Sequence, residues 1–205
     1  MSIVKLNNNG VKNATAFGSI TGLGNLILIK TQTASSSASI SFVDGASSVV
    51  LDNTYKEYIF YFNNIHGSAN ADPTFNFSTD GGSNYNVTKT STTFVALHAE
   101  NDGEASLAYI NSLDLAQSTA FQSLNFDLDS GADSGFSGYL HLFEPSSTTF
   151  VKHFISVNNG IKDDISSSNC FVAGYGNTTS AIDAIQFKMA TGNIDAGTIS
   201  LYGVV

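Results

Sequence analysis

The chain has 205 residues, of which 42% are hydrophobic and 11% aromatic, enough to fill one large core or two small ones. Eight lysines face seventeen acids for a net charge of −9, and neither Arg nor Trp occurs. An acidic chain without guanidinium forks argues against nucleic acid and anionic membranes as partners.

Residues 1–24 stand apart from the rest. "SIVKLN" suits one short strand, and "NNGVKNATAFGSITGLG" after it is small, polar and rich in glycine. Such a segment buries little by itself and reads as an arm or linker, with Val11, Phe17 and Ile20 as its apolar contacts in assembly. The opening residues lack the apolar run of a signal-peptide core, and no stretch approaches the ~20 apolar residues of a membrane span. Synthesis in a cytoplasm is expected.

From residue 25 to 205 strand signals are dense. "NLILIKTQT" (25–33) and "ASISFV" (38–43) flank a serine-rich turn. "EYIFYFNNI" (57–65) is apolar on both faces, which predicts a central strand covered on each side. "TFNFSTD" and "NYNVTKT" alternate large and small residues around Asp80-Gly81-Gly82, which predicts a hairpin. "TFVALHA" (93–99) follows. The segment "ENDGEASLAYINSLDLAQS" (100–118) loses the period of two and reads as a short helix or a long loop. "FQSLNFDL" (121–128), "FSGYLHLF" (136–143), "FVKHFISV" (150–157), "CFVAGYG" (170–176), "AIDAIQFKM" (181–189) and "GTISLYGVV" (197–205) complete the series. About a dozen strands with turn signals every ~8–12 residues predict an all-β chain, a single jelly-roll-like antiparallel β-sandwich with an N-terminal arm.

Chemistry is sparse. Asp80, Asn84 and Tyr85, beside the glycine turn, are the candidates for contact with a ligand or neighbour. Asp127, Asp129 and Asp133 form an acidic loop that suits calcium, but EF-hand spacing fails because Gly131 and Gly138 fall where ligands belong. His141 and His153 sit on strands joined by a short turn, and partly buried, hydrogen-bonded roles are expected for them rather than a metal site. Cys170 is the only cysteine, which leaves no intrachain disulfide, and it lies in an apolar strand as a small hydrophobe. No nucleophile elbow, P-loop or dinucleotide fingerprint is present, so a non-enzyme without cofactor is expected.

The closing stretch "AIDAIQFKMATGNIDAGTISLYGVV" resembles the C-terminal hairpin of phage virion β-sandwich proteins. "FSTDGGSNYNVTKTS" and "SGYLHLFEPSSTTFVKHFI" are similar to segments of small structural proteins of marine podoviruses and cyanophages. The resemblance implies a place on the virion, as a head decoration (cement) protein held by its arm and sandwich edges. A tail-fibre or spike module that binds a receptor or host surface glycan is the alternative, and a polysaccharide-degrading enzyme a distant third. The implied partners are the major capsid protein or other virion proteins, with a homo-oligomer on the particle.

Overall fold

The computed structural model describes residues 25–205, and the proposed arm contacts Val11, Phe17 and Ile20 lie outside the described residues. Twelve strands form two antiparallel sheets packed face to face, as the alternation of large and small residues predicts. In chain order they are β1 Leu26–Thr33, β2 Ile40–Val43, β3 Glu57–Gly67, β4 Pro73–Ser78, β5 Lys89–Ala99 and β6 Ala105–Tyr109. Then follow β7 Gln122–Ser123, β8 Phe136–Phe143, β9 Lys152–Lys162, β10 Ser166–Gly176, β11 Ala184–Met189 and β12 Ile194–Val204. The larger sheet has the order β1-β12-β3-β8-β9-β10-β5-β6 and the smaller β2-β11-β4-β7. The architecture is a two-sheet antiparallel β-sandwich whose strands divide eight and four.

The core begins with β3. Tyr58, Phe60 and Phe62 alternate inward and are fully buried, while Ile59 and Tyr61 face outward and are half-buried. From the opposite sheet Phe187 inserts among Phe42, Phe60, Phe62 and Phe75, with ring centroids 5.3–6.4 Å away. Edge-to-face and tilted contacts of this kind suit the aromatic quadrupole. β3 is thus an interior strand, but only its inner face is fully covered.

The predicted hairpin around Asp80-Gly81-Gly82 is not one. The turn exists, with φ of 70° at Gly81 and 78° at Gly82, but β4 lies in the smaller sheet and β5 in the larger. The chain crosses between sheets there. The closing stretch behaves the same way, because β11 and β12 belong to different sheets. Of the three stretches that carry the resemblance, only "SGYLHLFEPSSTTFVKHFI" is a hairpin, β8 pairing with β9. Residues 100–118 contain no helix; they hold β6, an edge strand paired with β5, and the start of an irregular run.

That run, residues 110–128, has a structural task. The smaller sheet covers only part of the larger one, and β5, β9 and β10 turn polar residues inward: Ser91, Thr93, Ser156, Asn158 and Ser168 are all buried. The segment lies across them and supplies partners. Ser91 donates to Gln122 Oε1 at 2.5 Å, Asn158 Nδ2 to Leu124 O at 2.9 Å, and Ser168 to Asn125 Oδ1 at 3.2 Å. Leu113, Leu124 and Leu128 anchor it in the core. Each of these buried hydroxyls and amides makes at least one bond, while Asn158 Oδ1 and Asn125 Nδ2 keep no protein partner.

Candidate functional site

The side of the larger sheet that faces away from the smaller one is unusually apolar for an open sheet face. Residues paired across antiparallel strands point the same way, so the register identifies its members. Tyr61 on β3 stands between Tyr139 on β8 and Tyr202 on β12, at centroid distances of 6.3 and 5.6 Å. His141 stacks on Phe143 at 4.1 Å. Phe94 on β5 and Phe171 on β10 stack nearly parallel at 4.7 Å. Leu28, Phe94 and Ile155 are each about half-exposed on this face.

Two features stand out on it. One is an open groove of about 490 Å³ lined by Thr90 and Thr92 of β5, Phe143 of β8, His153 and Ile155 of β9, and Tyr175 of β10. Its walls carry no carboxylate and no lysine. The other is the β6 edge, where every residue of Ala105–Tyr109 is exposed and Leu107 is 72% exposed. Leu107 pairs opposite Ala96, and Tyr109 opposite Phe94, so β6 extends the apolar face to the rim. Sheet edges are usually blunted by Lys, Pro or a bulge, and β6 has none of these.

The residues singled out from sequence fare differently. Asp80 is engaged within its own turn, accepting from Ser78, from the Asn84 backbone and from the Asn84 side chain at 2.7–2.8 Å. Those bonds hold its carboxyl below the usual range, the Asn84 side chain contributing most. The Tyr85 hydroxyl sits so close over Gly82 that a Cβ there would lie 2.7 Å from it. Asp80, Asn84 and Tyr85 thus come together in the turn and brace the sheet crossing. Asp127, Asp129 and Asp133 do not converge: Asp129 accepts from Gly131 N and Ser134 Oγ at 2.8 and 2.5 Å. Among the described residues no group of three or more His, Cys, Asp or Glu is placed to hold a metal ion.

His141 and His153 are expected to be partly buried and hydrogen-bonded; His141 is half-buried and His153 exposed. Both lie on the outer face, opposite Ile155 and Tyr175 respectively, because the inward positions on β8 and β9 belong to Leu140, Leu142, Phe154 and Ser156. His141 Nε2 is 2.9 Å from Glu57 Oε2, off the line of a hydrogen bond, and His153 is exposed. Cys170 is buried as expected, and burial pushes its thiol up to about 12.

His66 had no assigned role, and the structure supplies one. Its Nδ1 is 2.6 Å from Asp195 Oδ1 on β12, and its Nε2 is 2.8 Å from Gly131 O in the acidic loop. Both ring nitrogens face acceptors, so the imidazolium form is favoured, and the Asp195 bond raises its pKa. Its stabilisation is complete below the ordinary value of 6.5 and fades as pH climbs through the raised one. His66→Phe is therefore expected to cost about 1–2 kcal/mol at pH 6 in urea unfolding, and less at pH 9. An equal loss at both pH values contradicts the clamp.

No protein-family model, curated protein or solved structure matches the chain.

Proposed function

We propose that this chain is a non-catalytic structural protein of a phage particle surface, most simply a head decoration or cement protein docked through its arm and the β6 edge. The observation that carries the reading is β6 itself, an unguarded edge strand with Leu107 and Tyr109 exposed beside the Phe94–Phe171 stack. An added strand from a capsid protein or a second copy would satisfy its outward N–H and C=O groups and cover these side chains. Repetition on a symmetric particle multiplies even a modest contact. The resemblance of the β8–β9 hairpin to phage structural proteins supports the same reading.

The test is incorporation. Wild-type chain is expected to co-sediment with particles grown without it, and Leu107→Lys/Tyr109→Lys, both exposed on the edge strand, to lose at least about tenfold in occupancy with its melting temperature little changed. Undiminished incorporation of the variant overturns the edge as the docking surface. The groove favours a second reading, a fibre or spike module that grips a neutral host glycan on Phe143 and Tyr175. Immunogold label on heads supports decoration, and label confined to tails supports the fibre reading.

A further inference from the structure

The register of the β6 edge is symmetric about its middle residue. Ile110 N donates to Thr93 O and Ala99 N to Glu104 O, so Glu104, Ser106, Ala108 and Ile110 turn their backbone groups toward β5. Ala105, Leu107 and Tyr109 turn theirs the other way, past the last strand of the sheet. Among the described residues no strand pairs with these outward N–H and C=O groups, which are evenly spaced with Leu107 in the centre. The same three residues put their side chains on the outer face, because Leu107 pairs with Ala96 and Tyr109 with Phe94.

A strand that fills this edge has to match an odd set of outward residues, and a second β6 does. Turned antiparallel about a two-fold axis normal to the sheet, it sets Leu107 opposite its own copy and Ala105 opposite the second copy's Tyr109. Each facing pair exchanges both of its backbone bonds, so every outward group of the edge is satisfied on both copies. The side chains fit in the same register. The large Tyr109 meets the small Ala105, and Leu107, 72% exposed, meets Leu107. Charge permits the pairing as well: Ala105–Tyr109 holds no Lys, Asp or Glu, so two chains of net charge −9 meet along a neutral strip.

We infer that the β6 edge is a two-fold interface between copies of this chain, joined antiparallel at Leu107. This rests on the reading of β6 as a docking edge and names its occupant. Two such short strands with their side chains bury on the order of 1,000 Å² in total, the low end for a specific interface. The pair is therefore weak in dilute solution and is filled by local concentration on a particle. Acids flank the strip at both ends: Glu104 precedes it, and Asp114 accepts from the Tyr109 hydroxyl at 2.6 Å. The two-fold axis brings Glu104 of one copy toward Asp114 of the other, so salt screens their repulsion and tightens the pair. A basic foreign strand would be weakened by the same salt.

The experiment is sedimentation velocity on the full chain at about 5 and about 500 μM, in low and high salt, with oxidative trapping beside it. The expected result is a shift from monomer toward dimer at the higher concentration, larger in high salt and absent in Leu107→Lys. Leu107→Cys is expected to form a disulfide-linked dimer at least about tenfold faster than Ala105→Cys. On the two-fold axis the two Leu107 Cα atoms lie about 5.5 Å apart, within disulfide range, and the two Ala105 Cα atoms about 14 Å. Cys170 is buried and stays out of the exchange. A wild type that is monomeric throughout, equal trapping at the two positions, or a dimer that survives Leu107→Lys overturns the inference. If Leu107→Lys/Tyr109→Lys still loses its place on particles in that case, the docking edge stands and its occupant is a capsid-protein strand. Full occupancy removes both readings.

Discussion

Phe187→Ala is expected to lower the unfolding free energy by about 3–5 kcal/mol. Phe187 is 2% exposed and comes from the smaller sheet to touch four rings, Phe42 and Phe75 from its own sheet and Phe60 and Phe62 from the larger one. Its removal opens a cavity at the seam between the sheets. The strands on both sides are pinned in register by their ladders, so the walls cannot collapse to fill it. Phe150→Ala is the control: that ring is 66% exposed, and its loss should fall within about 0.5 kcal/mol. Urea unfolding monitored by far-UV dichroism measures both. A loss below about 1 kcal/mol for Phe187→Ala would mean that the two sheets do not meet there.

The second large effect concerns Lys89. This residue opens β5 yet is fully buried, with Nζ 2.5 Å from Asn76 Oδ1 and 2.9 Å from Val87 O. No carboxylate pairs with it, and burial lowers its pKa to about 7. The unfolded chain, with an ordinary lysine near 10.5, holds a proton that the folded chain sheds above pH 7. Stability should therefore rise with pH from 7, by up to about 1.4 kcal/mol per unit. Burial lowers the pKa of Lys152 too, which adds in the same direction.

Cys170 opposes this from about pH 9. Its thiol stays protonated in the fold to about 12 while the unfolded chain ionises, so the rise slackens there and then reverses. The wild type is expected to be most stable between about pH 9 and 10, an alkaline optimum for an acidic protein. Lys89→Met should flatten the rise between pH 7 and 9. Asn76→Ala, which leaves the ammonium with Val87 O alone, should cost about 3–5 kcal/mol at pH 6 and less at pH 9. A wild-type stability that is flat or falling from pH 7 to 9 refutes the buried lysine as the source.

Much of the secondary structure was legible in the residues. The alternation in "FSGYLHLF" and "FVKHFISV" marks strands because a side-chain period of two is a local property of extended chain. The turn at Gly81-Gly82 was legible for the same reason, since positive φ is a local demand on the backbone. The candidate surface was not. A residue such as Phe94 or Phe171 has the same local pattern whether it faces the core or solvent, and only the packing of the second sheet decides which.

The sequence by itself determined that the chain is all-β, where most strands lie, and that its surface is acidic and poor in charge. Tertiary structure alone decided that β4 and β5, and β11 and β12, part into opposite sheets, because a turn specifies a reversal and not the strand beside which the chain returns. It also decided that segment 110–128 roofs the polar inner positions of β5, β9 and β10, and that Lys89 is buried beside Asn76. These outcomes depend on residues far apart in sequence competing for one core, and no local period records that competition.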